Sequence, residues 1–311
     1  MIREDAVAPV LAAMLVLAVI VTVFAVWNAS VAPSMKEQAE VSHLHEVESG
    51  ILRFSSDIES AASAQNSMTL SERIPLGGGE LLFSPARSGG VLAVHDEDEY
   101  MWIRLYNASP PSESTLVCND TFRLPNFSYM PVGNFWQDQG YIWSHGYVNV
   151  TKTSLAPTPL EFPTMDNVEY KVTGALFSAR SYPNPSDSQN CSVIVIKGVN
   201  IIAADSGNSV SGNGIGTLKL NSTQRTEVYS NVSLLNVRLY STESSDDSFT
   251  RFNYALHESV NSSIGTNVLG VCGNIRFDDV DSKSGTIWVK INSTPSVTVI
   301  RESTEVVLDA Y

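Results

Sequence analysis

The chain has 311 residues, 43% of them hydrophobic, and 33 acidic residues against 19 basic ones give a formal net charge of −14. That apolar fraction excludes a disordered chain, and the length suffices for one large or two modest domains. The acidic balance argues against a nucleic-acid partner, because phosphate binding needs a basic surface, and suits a solvated extracellular face.

Residues 6–27, AVAPVLAAMLVLAVIVTVFAVW, carry no charge. A helix of that length is about 33 Å long, which matches a bilayer core. A cleaved secretory signal has a shorter apolar core of about 7–15 residues and then a small-residue cleavage site. Here an amphipathic pattern follows directly, so the segment reads as membrane-spanning. Arg3 before the run is offset by Glu4 and Asp5, and Lys36 follows it, so the positive-inside count sets no orientation.

Pro33, within NASVAPS (28–34), should kink or briefly break the helix. The pattern then resumes over 34–63, where Leu44, Val47, Ile51, Phe54, Ile58 and Ala61 are spaced 3, 4, 3, 4 and 3 apart. Such spacing puts one narrow apolar stripe on an otherwise polar helix. His43 and His45 do not share a face; they read as solvated helix polars rather than a metal pair. One near-continuous helix from Pro9 to Ala62 would be about 80 Å long if straight. A mere anchor needs no such extension.

The opening Ala6-Val7-Ala8-Pro9-Val10, followed by the apolar helix, resembles the N-terminus of archaeal type IV pilin-like proteins. The resemblance spans roughly the first 60 residues. IPLGGGELLFSPARSGGVLAV and GNFWQDQGYIWSHGYVNVTK also look like stretches of large archaeal pilin-like proteins. The resemblance implies that MIRED (1–5) is a leader, cut by a prepilin peptidase at Asp5–Ala6, although Glu4 and Asp5 stand where the family has a small residue. It implies self-association of the apolar helices into a filament core, through positions such as Pro9, Ala13, Leu15, Val19 and Phe24. It also implies the membrane and the pilus assembly machinery as partners, with C-terminal domains coating the outside. Ala12, Ala13, Ala18 and Ala25 would let helices approach closely, although alanine is also ordinary in membrane helices.

Ten N-x-S/T sequons occur, at Asn28, Asn107, Asn119, Asn126, Asn149, Asn190, Asn221, Asn231, Asn261 and Asn292. Chance gives about four. The excess points to an exported, N-glycosylated body; the rival reading is turn chemistry in a Ser/Asn-rich β-protein. Asn28 touches the membrane run and is the poorest acceptor. Cys118, Cys191 and Cys272 have no metal-ligand spacing, which leaves one disulfide plus one buried thiol, or three buried thiols.

From residue 67 the texture changes to short β-branched and aromatic runs between Gly, Asn, Ser and Pro turns. About ten strands over 67–311 predict an α+β chain whose body is sandwich-like and folds without the helix. One helix is expected over 247–260, capped by Asp247 or Ser248, with Phe252, Leu256 and Val260 as its inner stripe. SLAPTPLEFPTM (154–165) reads as a loop, or a junction between two halves of the body.

No stretch carries clear chemistry. FDDVDSKSG (277–285) starts like a calcium loop, but counted from Asp279 its fifth position is Lys283 and no glutamate closes it. HDEDEY (95–100) reads as a polar turn, LGGGE (76–80) as a turn without a phosphate-binding lysine, and GNSVSGNGIG (207–216) as a flexible loop. His145, between Trp143 and Tyr147, reads as a packed histidine on a strand rather than a general base. No cofactor, metal site or catalytic set is expected. The expectation is a structural, non-enzymatic surface protein, anchored by its helix with the body outside: a pilus subunit serving adhesion. The alternatives are an anchored glycoprotein that never polymerises, or an anchored glycan-acting enzyme.

Overall fold

Between Val10 and Val26 no charge, proline or glycine interrupts the apolar run, and in the computed structural model it is helical throughout. Helix α1 spans Val7–Val26, a π turn spans Trp27–Val31, and α2 spans Ala32–Ala64. Pro33 lacks an N–H, and its ring crowds the carbonyl one turn back. The ladder adjusts just upstream, where the Ala32 N–H donates to Trp27 O. The break expected at Pro33 is thus a π turn, and the chain stays helical through it. The structure describes residues 7–64, 66–77, 88–109, 113–134, 137–152, 155–160, 176–204, 208–239, 247–270, 272–281, 286–291 and 297–311. The cleavage position Asp5–Ala6 and the sequon at Asn292 lie outside them.

The stripe on α2 is core. Leu44, Val47, Ile51, Phe54, Ile58 and Ala61 are all 5% exposed or less. Phe54 meets Phe127 edge-on with ring centroids 5.3 Å apart, and Phe127 stacks on Trp143 at 5.2 Å. Polar bonds frame the contact: Trp143 Nε1 donates to Ser55 Oγ (3.1 Å), and the Tyr141 hydroxyl donates to Glu48 Oε2 (2.9 Å). Gly50 lets the helix close on the body, since a Cβ there would stand 2.5 Å from Ile74 Cδ1. His43 is not solvated as expected. It is buried beside this stripe, with Nε2 3.0 Å from Pro75 O; His45 is exposed. The boundary at 66/67 therefore separates element types but not cores.

Thirteen strands follow among the described residues: β1 Met68–Pro75, β2 Gly89–Ser109, β3 Glu113–Val132, β4 Gln139–Ser144, β5 Tyr147–Lys152, β6 Leu155–Pro159, β7 Phe177–Asn184, β8 Asp187–Ala203, β9 Ser209–Gly212, β10 Ile215–Leu239, β11 Ile275–Asp281, β12 Thr286–Ile291 and β13 Val297–Ala310. The hydrogen-bonded order is β6-β5-β4-β3-β2-β10-β13-β8-β7, antiparallel except for the β13–β8 pair. The chain is α+β, as expected from its sequence. Strand β10 joins two layers. Its first part pairs with β1 on one edge and β13 on the other; from Val232 and Leu234 onward it pairs with β2 and β12 instead. The change falls at a bulge between Tyr229 and Val232, where Asn231 has φ 58°. Bulges of this kind let a strand leave one sheet and enter another. The β2–β3 layer then lies over β8: the Tyr100 hydroxyl donates to Val199 O, and a Cβ at Gly198 would collide with the Phe122 ring.

Helix α3, Asp247–Ile264, runs on into a π turn at Gly265–Leu269. Leu256, Val260, Ile264 and Val268 are buried, which lengthens the expected stripe; the side chains that would cap this helix, and Phe252, lie outside the description. A disulfide joins Cys191 to Cys272 (Cα–Cα 5.1 Å), and Cys118 is a buried thiol, so the first of the two cysteine alternatives holds. Asn274 seals that joint, accepting from Cys191 N (3.0 Å) and donating to Cys191 O (3.1 Å).

Three local expectations are corrected. HDEDEY is not a turn: it lies within β2, with register shifts between Val94 and Glu97 and between Glu99 and Met101. GNSVSGNGIG contributes β9 and the start of β10. Of 154–165, Leu155–Pro159 is strand β6, and the rest falls almost wholly outside the described residues.

Phe54→Ala should lower the unfolding free energy by about 3–5 kcal/mol, the usual cost of a large aromatic removed from a packed core. Urea titration of the detergent-solubilised chain measures it, and an unchanged midpoint would mean that α2 is not core. Replacing Cys191 and Cys272 together by Ser should cost about 2–4 kcal/mol in the same assay.

Candidate functional site

From Pro9 to Ser30 every residue is exposed. Leu15 is 67%, Val19 61%, Phe24 64% and Trp27 52% exposed. At about 100° per residue, Pro9, Ala13 and Phe24 fall on one side of α1, and Leu15 and Val19 fall nearly opposite. The five positions read as an assembly surface thus circle the helix, which is apolar all round. Its one hydroxyl is satisfied locally, Thr22 Oγ1 donating to Ala18 O at 2.5 Å. So large an apolar surface is not stable in water; it needs lipid or other protein around it. The same helix enters the body without a loop. The first buried residue along it is Glu40, whose Oε2 accepts from Gln137 N at 3.2 Å.

The sequons differ in what their side chains do. Asn119 and Asn231 are exposed; Asn107, Asn126, Asn190, Asn221 and Asn261 are half-buried. Asn149 is 1% exposed, which leaves no room for a glycan on the folded body. In the orientation that matches donors to acceptors, Asn107 Nδ2 donates to Ser230 O (2.9 Å) and Asn231 O (3.0 Å), bracing the bulge of β10. Asn190 Nδ2 donates to Asp187 Oδ2 (2.7 Å), and Asn221 Oδ1 accepts from Thr69 Oγ1 (3.0 Å).

His145 is not on a strand. It occupies the two-residue turn between β4 and β5 with φ 52°, followed by Gly146 with φ 85°. Positive φ at both central residues is the mark of a type I′ hairpin turn. His145 is 7% exposed, and its Nδ1 lies 2.7 Å from Ser144 Oγ. Among the described residues, no group of three His, Cys, Asp or Glu could hold a metal ion.

One cluster has no sequence signal, because its members come from three strands far apart in the chain. The Arg301 side chain is 7% exposed between β layers and pairs with Asp120 through Nη1 and with Glu227 through Nη2 (3.2 Å). The Tyr229 hydroxyl donates to Glu227 Oε2, and Arg225 Nη2 stands 2.7 Å from Glu227 Oε1. Burial pushes the Asp120 carboxyl above the ordinary carboxylate range, against the pull of Arg301. The Tyr229 hydroxyl holds Glu227 below that range, with Arg301 and Arg225 assisting and burial opposing. Burial also pushes the Cys118 thiol up, so it is not a reactive thiolate. The two carboxylates oppose each other in linkage. Glu227 contributes stability above its unfolded value that is lost as pH falls through its folded value, whereas Asp120 favours the folded state as pH falls.

Arg301→Met should cost roughly 3 kcal/mol at pH 7, the low end for breaking a buried pair, because Asp120 and Glu227 are each partly exposed. The loss should shrink toward pH 4, where protonation relieves the stranded carboxylates. Unfolding curves at the two pH values check both points, and a loss independent of pH would refute the ionic account. Comparison with protein-family models, with curated proteins and with solved structures finds no match for this chain.

Proposed function

We propose that the protein is a pilin-like subunit of an archaeal type IV pilus or a related surface filament, with its β body outside the cell, where it serves adhesion. One observation carries the reading: a single continuous helix is exposed and apolar on every side from Pro9 to Val26, and from Leu44 to Ala61 buries one face in the body's core. Lipid can cover the first part before assembly, and neighbouring helices can cover it afterwards, so its apolar surface meets water at neither stage. A plain anchor serves equally well on a flexible loop. A continuous helix instead fixes the body's orientation relative to its buried end, and a regular array needs that in every subunit. Removal of the leader at Asp5–Ala6 belongs to this reading, because charges at the end of a bundled apolar helix are costly unless paired.

A charge in the middle of α1 separates assembly from anchoring. A central lysine costs insertion about 2.5–3.5 kcal/mol, which a long apolar run can absorb. Inside a helix bundle the amine reaches neither water nor headgroups, so the cost is higher and recurs in every subunit. Leu15→Lys should therefore reach the membrane yet form no filaments. Ala13→Leu, on the other side of the helix, should do the same by overpacking while making the segment more lipid-soluble. Membrane fractionation with electron microscopy of cell surfaces reads both. Normal filaments from both variants, or none from the unmodified protein, would make this a membrane-anchored surface glycoprotein instead.

A further inference from the structure

The outer face of the β2–β10–β12 layer carries an unusual row. On its inner side the layer is conventional core: Ile103, Leu105, Leu235, Val237, Ile287 and Val289 are 1% exposed or less. On its outer side, strand register places Asn119 of β3 beside Arg104 of β2, Arg104 beside Asn236 of β10, and Asn236 beside Trp288 of β12. Three strand spacings of about 4.8 Å make the row roughly 14 Å long. Arg104 Cζ stands 4.1 Å from the centre of the Trp102 ring, and Arg104 Nε donates to Asn119 Oδ1 at 2.8 Å.

Asn236 is the anomaly. It is 1% exposed, and neither its Oδ1 nor its Nδ2 has a hydrogen-bond partner. A buried amide with both ends unsatisfied is costly, and a leucine of the same branched shape would carry no such penalty. Its position on the outer face, between two half-buried side chains, puts it within reach of a ligand that displaces either Arg104 or Trp288. The missing partner must both donate and accept, as a sugar hydroxyl does. Aromatic rings flank the amide on the same face, as suits a ligand with apolar C–H faces and polar edges.

The row also begins at a sequon. Asn119 is exposed, and its bond to Arg104 uses Oδ1, leaving unused the Nδ2 that N-glycosylation modifies. We propose that Asn119 carries an N-linked glycan whose first sugars lie along this row, stacked on Trp288 and hydrogen-bonded to Asn236. The glycan is thereby part of the folded surface, and it takes the place of the Arg104 side chain beside Asn236. The inference rests on the exported body proposed above, since N-glycosylation accompanies export.

Glycopeptide mass spectrometry of the protein purified from its producing cells tests the first half. Asn119 should be occupied, with Asn149, Asn107 and Asn190 bare. Occupancy elsewhere with Asn119 bare overturns this inference alone; bare sequons throughout overturn it together with the glycoprotein character of the exported body. Thermal unfolding tests the second half. Asn119→Gln should lower the midpoint by several degrees, and that loss should vanish in a Trp288→Ala background. Asn231→Gln, which removes the exposed sequon at the β10 bulge, lies outside the row and should show no such coupling. If Trp288→Ala does not fold, Asn236→Leu takes its place: it should raise the midpoint of the Asn119→Gln protein and abolish the stabilising effect of the glycan. An Asn119→Gln loss that is the same in every background, or absent in the parent, overturns docking.

Discussion

Phe54 lies edge-on to Phe127 with no exposed surface, and the rest of the structure depends on that burial of one face of α2. Among the described residues, the α2 stripe covers this side of the sheets. Gly50 admits β1 closely, His43 ties the helix to the end of β1, and Ser55 and Glu48 accept hydrogen bonds from the buried Trp143 and Tyr141 side chains. A surface helix gains most of its stability from such packing rather than from propensity. Because α1 continues the same ladder, docking α2 also fixes the direction in which the apolar segment leaves the body. Only the π turn at Trp27–Val31 intervenes, and it is a local change of hydrogen bonding within one helix.

The β body solves a second problem, that of closing two layers with one chain. Strand β10 does it by belonging to both, and its bulge is held from outside by Asn107, whose amide caps the carbonyls of Ser230 and Asn231. Between the layers sits Arg301 with Asp120 and Glu227. Such a buried charge group adds little net stability but penalises any pairing that separates its members. At the far end, the Cys191–Cys272 disulfide ties the segment after α3 to the first part of β8. Extracellular proteins commonly use such a link where the local core is thin.

The two faces of the β2–β10–β12 layer divide the functional reading. The inner face is apolar and filled, whereas the outer face mixes indoles, a guanidinium and an amide without partners. An unsatisfied buried amide is the kind of local inconsistency that folding alone does not favour, and it therefore points outward, to something that binds there. The proposed glycan on this face and the proposed packing of α1 against neighbouring copies are compatible with each other. They act through separate surfaces and can fail separately.

Patterns of short range were legible in the sequence. The uncharged run from Ala6 to Trp27, the 3–4 spacing from Leu44 to Ala61, the disturbance near Pro33 and the helix around Leu256 and Val260 each follow from periodicity or residue chemistry within one element, and the structure contains all four. What the α2 stripe packs against was not legible, because a heptad-like face is the same whether it meets another helix or a sheet. The acidic HDEDEY looked like a turn because propensity does not register that β3 pairs alongside it. His43 looked solvated until Pro75 O came within 3.0 Å, and His145 looked like strand until the β4–β5 pairing made it a turn. The sequence alone determined that ten sequons exist; only the tertiary structure decided that Asn149 is sealed, that Asn107 and Asn190 already use their amides, and that Asn119 opens a row ending at Trp288. The physical reason is the same throughout. Periodicity reports which residues share a face, whereas burial, pairing and unsatisfied polar groups depend on elements brought together from distant parts of the chain, as β10 is with both β12 and β2.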